Sequence, residues 1–241
     1  MRDIFVFKRI EKKYRINTAK KAELLEKIGH RLVPDSHGVS TVCSLYLDTP
    51  DHLLIRNSID ATVYKEKLRL RCYNVPQLTD KVFLEIKKKY KGVVYKRREA
   101  MTLADAYGYI FHSIKPFNSQ IMSELDYTMK RYDYPLPSML VAYERDAYYA
   151  PECSHLRITF DSKIRFREDD LRLEHGNQGT RILPDDEMIL EIKTDAAMPL
   201  WLSAALDECK IYPSKFSKYG TAYRSTLISD EKEGENQYAN L

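Results

Sequence analysis

Glycine is scarce in this chain, at 8 of 241 residues. None is followed by lysine and no Gly-x-Gly-x-x-Gly run occurs, which excludes a P-loop and a dinucleotide fingerprint. The four cysteines (Cys43, Cys72, Cys153, Cys209) are far apart and form no Cys-x-x-Cys, so buried free thiols in a reducing compartment are expected. The six histidines include no His-Glu-x-x-His, and Gly-x-Ser-x-Gly is missing, which removes the zinc-hydrolase and serine-hydrolase signatures. Long apolar runs are lacking too. Ile4 to Phe7, ahead of Lys8 and Arg9, is too short for a signal sequence, and nothing approaches the ~20 residues of a membrane span. A soluble cytoplasmic protein is expected.

What is present is tyrosine, at 18 residues, in a chain that is 44% hydrophobic. Aromatic and β-branched residues favour strands, and period-two alternation is the dominant pattern. Strands are expected at 4–16, 40–48, 65–73, 81–90, 92–102, 138–149, 156–167 and 187–194, with a tight hairpin at Lys91-Gly92. Helices are expected at 18–30, capped by Asn17 or Thr18, within 103–132 ahead of Pro135 and Pro137, at 199–209 and at 220–228. No repeat or linker divides residues 1–229, which read as one domain, and the polar segment 230–241 is expected to be disordered. The fold class is mainly β with helices (α+β). About eight hairpin-connected strands can close into an antiparallel β-barrel with peripheral helices, leaving no open edge.

The net charge is only +4, a weak pointer to anionic partners, but the basic residues are not evenly placed. Strand alternation sets Lys67, Arg69 and Arg71 on one face against Leu68, Leu70 and Cys72. Phe83, Glu85, Lys87 and Lys89 likewise oppose Val82, Leu84 and Ile86, and Lys96 and Arg98 share a face on the next strand. Tyr143 and Arg145, Arg157 with Thr159 and Asp161, and Glu187, Glu191 and Lys193 repeat the scheme. Any one such strand is what a solvated sheet face looks like. Taken together they crowd like charges, which destabilises a sheet unless a polyanion neutralises it. Arginine offers phosphate a bidentate fork and lysine a mobile charge. Few aromatics interleave with the basic positions, and no DNA-binding signature is present, so bare phosphate fits better than nucleic acid.

Several short motifs occur in order: Glu11-Lys12-Lys13-Tyr14-Arg15, Tyr46-Leu47-Asp48-Thr49, Lys67-Leu68-Arg69-Leu70-Arg71, Phe83-Leu84-Glu85-Ile86-Lys87 and Tyr95-Lys96-Arg97-Arg98. Tyr143-Glu144-Arg145, Leu156-Arg157-Ile158-Thr159-Phe160-Asp161, Leu190-Glu191-Ile192-Lys193 and Lys215-Phe216-Ser217-Lys218 follow. On these motifs, residues 8 to 225 resemble the VTC domain of polyphosphate polymerases, in the triphosphate tunnel (CYTH-like) superfamily. The resemblance implies an eight-stranded tunnel that binds ATP with Mn²⁺ or Mg²⁺ and adds its γ-phosphate to a polyphosphate chain. It implies phosphate ligands at Lys13, Arg15, Arg69, Arg71, Lys87, Lys96, Arg98, Arg145, Arg157, Lys193, Lys215, Ser217 and Lys218. Of these, Lys193, Lys218 and Arg157 are the implied catalytic residues, and Glu191 is the implied metal carboxylate. By residue type alone, Glu191 reads as a salt-bridge partner of its basic neighbours sooner than as a metal ligand, and Glu11 and Glu85 are expected to be such partners.

The first strand departs from the Glu-x-Glu-x-Lys of the hydrolytic branch, which disfavours simple triphosphate hydrolysis or cyclase chemistry. An inorganic triphosphatase and a non-catalytic polyphosphate-binding subunit are the alternatives. Export of the product would require a separate membrane partner.

Overall fold

The computed structural model describes residues 10–238 except 37, 61, 62, 92 and 196, and of 229–238 the backbone only. The expected strand over 4–16 is observed as β1 (Ile10–Asn17), its first residues lying outside the described ones. It runs into α1 (Thr18–Ile28), where Asn17 Oδ1 accepts from the Lys20 N–H at 2.9 Å, as its capping residue type predicts. A short β2 (Val33–Pro34) follows, then β3 (Ser40–Asp48), α2 (Leu53–Asp60), β4 (Tyr64–Tyr73), β5 (Lys81–Tyr90) and β6 (Val93–Thr102). The helical stretch expected over 103–132 is two helices, α3 (Leu103–His112) and α4 (Gln120–Arg131). Ser113 ends the first in a left-handed conformation (φ 57°), and Ser119 caps the second through the Met122 N–H. Next come β7 (Leu136–Ala150), β8 (Cys153–Arg167), short β9 (Thr180–Arg181), β10 (Glu187–Thr194), α5 (Leu200–Glu208) and α6 (Lys218–Tyr238).

The long antiparallel path is β1-β10-β8-β7-β3-β4-β5-β6, with β2 on β7 and β9 on β8. The expected class, antiparallel β with helices, is the observed one. The segment from 230, expected to be disordered, is helical in its backbone as far as Tyr238. Its Glu, Lys and Gln residues are good helix formers, so polarity alone did not prevent the helix from continuing.

Two compact units are assembled from interleaved segments. The first comprises residues 1–41, 143–164 and 183–216, the second 42–142, 165–182 and 217–241. With each unit built from three separate segments, no linker exists to be read in the sequence. In the first unit, Tyr14, Ile16, Leu156, Ile158, Phe160, Leu190 and Ile192 turn one sheet face toward α1 and α5, where Leu24, Ile28, Leu202 and Leu206 complete the core. In the second, Leu45, Leu47, Leu68, Leu70, Leu84 and Ile86 pack with Leu103, Ile110, Met122 and Leu125 of α3 and α4. A fully buried leucine contributes about 2 kcal/mol relative to an exposed one. Alternation then sets Lys67, Arg69, Arg71, Glu85 and Lys87 on the other face, while buried Glu66 stays on the core face, paired with Lys88 and accepting from the Tyr132 hydroxyl.

Candidate functional site

The second unit's charged face is organised by strand register. Tyr46, Arg69, Glu85 and Arg98 stand opposite one another in a row across β3, β4, β5 and β6. Ser44, Arg71 and Phe83 form the row on one side, Lys67, Lys87 and Lys96 the row on the other. Glu85, only 1% exposed, is the hub. Its carboxylate accepts from Arg69 Nε and Nη2 at 2.9 and 2.7 Å and from Arg98 Nε at 2.6 Å, and pairs with Lys96 Nζ at 2.8 Å. Arg71 Nε approaches it at 4.0 Å and donates to Ser44 Oγ at 3.2 Å. Burial alone would push the Glu85 carboxyl up; Arg69, Arg71 and Lys96 outweigh it and hold the group well below the usual carboxylate range. Glu85 is the salt-bridge partner its alternation pattern suggested.

Two further groups on this face titrate near neutrality. Burial pushes the Lys96 ammonium down to about 8, against the pull of Glu85 and with help from Arg98 and Arg71. Burial would raise the Tyr46 phenol, but Arg69, Lys67 and Arg71 bring it down to about 8. Arg69 Nη1 donates to the Tyr46 hydroxyl at 3.3 Å. The Tyr46 ring stacks on Tyr219 of α6 at 4.1 Å and 15°. Tyr219 donates in turn to Asp48 Oδ2 at 2.9 Å. Asp48 also accepts from the Leu54 and Ile55 N–H groups, so one buried carboxylate anchors the starts of both α2 and α6.

Ser217 caps α6: its Oγ accepts from the Gly220 N–H at 3.1 Å and from Lys67 Nζ at 2.9 Å. Lys218 opens the helix and is half-buried. Ser44, Tyr46 and Tyr219 were not among the expected site residues, and Lys67 was expected only as one cation of the charged face. The signal for the first two was present, since Ser44, Tyr46 and Asp48 alternate on β3 as the basic residues do on β4.

The first unit has its own arrangement, centred on Glu191 of β10. Its buried carboxylate accepts from Lys193 Nζ at 2.8 Å and lies 3.4 Å from Lys13 Nζ and 3.6 Å from Arg145 Nη2. Lys13 also pairs with Glu11 at 3.3 Å and donates to the Phe216 carbonyl at 3.2 Å. Arg145 grips buried Asp161 with two parallel bonds of 2.7 Å. Arg15 is exposed and pairs with Glu187. Arg157 is exposed, opposite Lys193 in register, with its guanidinium over the Tyr149 ring at 5.4 Å. Lys215 is exposed in the loop before α6.

The expected residues are thus gathered as Lys13, Arg145 and Lys193 around Glu191, and as Arg69, Arg71, Lys96 and Arg98 around Glu85 with Lys87 in the adjoining row. Arg15, Arg157 and Lys215 stand apart from both carboxylates. Among the described residues no group of three or more His, Cys, Asp or Glu is placed to hold a metal. The donor chemistry nevertheless fits a hard divalent ion of one kind. Mg²⁺ in phosphoryl-transfer sites takes one or two carboxylates and completes its shell with substrate phosphates and water. Glu191, with Glu11 sharing Lys13, supplies that number.

A family model described as the VTC domain matches residues 8–227. Among solved structures, a candidate adenylate cyclase of Bacillus halodurans is 11% identical, with a TM-score of 0.53 over 87% of this chain and 95% of that one. A candidate adenylyl cyclase of Hippeastrum, with a dominant triphosphatase activity, is 16% identical, with a TM-score of 0.50 over 90% of this chain and 96% of that one. At these identities the likeness shows the shared fold, that of the triphosphate tunnel proteins. Among curated protein sequences none matches.

Proposed function

The chain belongs to the VTC domain family, and from that premise we propose that it transfers the γ-phosphate of ATP to a growing inorganic polyphosphate chain. The observation that supports this reading is Glu191, a buried carboxylate ringed by Lys13, Lys193 and Arg145 on a sheet face. Phosphoryl transfer asks a protein for positioning and for neutralisation of charge rather than for covalent chemistry. Lys13, Lys193 and Arg145 hold and orient phosphate oxygens and stabilise the charge that develops during transfer. Arg69, Arg71, Lys87, Lys96 and Arg98 bind phosphate on the second unit's face, where Glu85 fixes the forks of Arg69 and Arg98 before any ligand arrives. Glu191 and Glu11 are the residues that would hold Mn²⁺ or Mg²⁺, which supplies charge neutralisation across phosphate oxygens when bound.

A second reading, hydrolysis of inorganic triphosphate, is favoured by the triphosphatase activity of the Hippeastrum protein. One assay separates them. Incubation with ATP and Mn²⁺, followed by gel electrophoresis, is expected to yield a polyphosphate ladder. Free phosphate from tripolyphosphate without polymer would establish the triphosphatase. Absence of both products would leave a phosphate-chain binding protein.

A further inference from the structure

We propose that Thr159 is a positioning residue of the first unit, its hydroxyl donating to an oxygen of the phosphate held beside Glu191. The inference rests on the phosphate-transfer reading and adds to it a neutral, directional donor among the cations. Its first support is burial without a partner. Thr159 is 7% exposed, and its Oγ1 is buried and makes no hydrogen bond among the described residues. Two other buried side-chain oxygens share that condition, but Glu66 Oε1 has Lys88 Nζ at 3.3 Å and Ser214 is a half-buried loop residue. A buried hydroxyl left unpaired is unfavourable. Valine has the same shape and an equal preference for strands, so neither packing nor strand formation asks for the hydroxyl.

The second support is what surrounds it. Thr159 stands directly opposite Glu191, and Glu191 opposite Lys13, so the three share one row of the charged face. Side chains placed in this way have Cβ atoms about 5 Å apart. In the adjoining row Lys193 stands opposite Arg157. Lysine and arginine only donate, so none of these cations can accept the Thr159 proton. Both neighbouring carboxylates are engaged by cations. Glu191 takes Lys193 at 2.8 Å, with Lys13 at 3.4 Å and Arg145 at 3.6 Å, and Asp161 takes two bonds of 2.7 Å from Arg145. A buried donor without an acceptor, set among cations, matches an anion that brings several acceptor oxygens. Phosphate is such an anion.

The third support is stiffness. Lys13 and Lys193 are mobile point charges that follow a phosphate wherever it settles. Threonine is branched at Cβ and restricted at χ1, so on a central strand its hydroxyl has few places to be. β8 is such a strand, flanked by β10 and β7. Thr159 therefore sets where one phosphate oxygen lies relative to Glu191, which the longer side chains cannot do.

The test measures tripolyphosphate affinity, with Mn²⁺ and with EDTA, and ligand-free melting temperature for wild type, Thr159→Val and Thr159→Ser. Thr159→Val keeps the shape and removes the hydroxyl. Its affinity is expected to fall about tenfold in both conditions, the low end for a bond to a charged group. Without ligand it should melt about 2–4 °C higher, an unpaired buried hydroxyl having been removed. Thr159→Ser keeps the hydroxyl and loses a buried methyl. It should bind within about threefold of wild type and melt about 2–4 °C lower. Affinity and stability thus move in opposite directions, which a purely structural role does not produce. A valine variant that binds tripolyphosphate as wild type does overturns the assignment and leaves the transfer reading standing. One that melts lower than wild type also overturns it, since the hydroxyl would then hold the fold. A loss of affinity seen only with Mn²⁺ overturns it in favour of a metal ligand. A wild type that binds tripolyphosphate in neither condition removes both readings.

Discussion

Two buried carboxylates sit in near-identical settings here, and their substitution separates chemistry from stability. Glu191→Gln is nearly isosteric and removes a negative charge among Lys13, Lys193 and Arg145. Turnover is expected to vanish while tripolyphosphate binds as well or more tightly, checked by product assay and calorimetric titration on one preparation. Glu85→Gln should instead lower stability by about 3 kcal/mol, the low end for breaking a buried pair because Lys96 and Arg98 keep contact with water. The Glu85 carboxyl is depressed in the folded state, so the unfolded chain binds the extra proton. Its contribution is therefore complete above the ordinary carboxylate range and is lost as pH falls below it. Acid melting curves should show that loss in wild type and a smaller one in the variant. At alkaline pH, Lys96 loses a positive charge and Tyr46 gains a negative one, both at about 8. Tripolyphosphate affinity should accordingly fall as pH rises through 8, with proton uptake on binding there, and Lys96→Arg with Tyr46→Phe should flatten the profile. The alternation of charge was legible in the sequence at Arg69, Glu85, Glu191 and Lys193. That Arg15 would pair with Glu187, or that Ser217 would cap a helix and meet Lys67, was not, because those partners are set by register and by the placing of α6.

At the scale of elements, α6 is held by its first turn. Tyr219 stacks on Tyr46 and donates to Asp48, and Ser217 satisfies the Gly220 N–H. Tyr219→Phe keeps the stack and removes a bond to a buried carboxylate, which should cost about 1.5 kcal/mol. Tyr219→Ala should cost about 3 kcal/mol or more, as loss of a buried aromatic does. Urea titrations read both, and equal costs would show that the stacked ring contributes nothing beyond its hydroxyl. The same Asp48 explains why α2 escaped the sequence reading. Its N–H groups at Leu53, Leu54 and Ile55 are capped from four to seven residues upstream, by Thr49 and Asp48, and His52 stands at the cap position itself. By contrast β5 and β10 fall where alternation placed them, because one apolar and one charged face make the period unmistakable.

For the whole molecule, net charge understates the case: +4 is small, yet the charged sheet face of each unit concentrates cations. A ligand that binds only the folded chain adds about 2.7 kcal/mol at a hundredfold excess over its Kd. In a chain of this size that is a melting shift of about 5–10 °C. Millimolar tripolyphosphate should produce such a shift by scanning calorimetry, and high salt without phosphate should not. The interleaving of the two units was the least legible feature. Composition shifts and linkers mark boundaries only between contiguous segments, and here each unit recruits three pieces of chain.

That interleaving also fixes a timetable. β1 pairs along its whole length with β10, from Ile10 opposite Thr194 to Asn17 opposite Glu187. At synthesis rates of ~5–20 residues per second, β1 leaves the ribosome roughly ten to thirty seconds before its partner exists. The meander of β4, β5 and β6 can form meanwhile from neighbouring chain, as short hairpins do. Through that interval β1 is an unpaired edge, the kind of strand that recruits another chain, and charged side chains are what natural edges use to prevent it. Lys12, Lys13 and Arg15 thus serve the nascent chain before Lys13 meets Glu191.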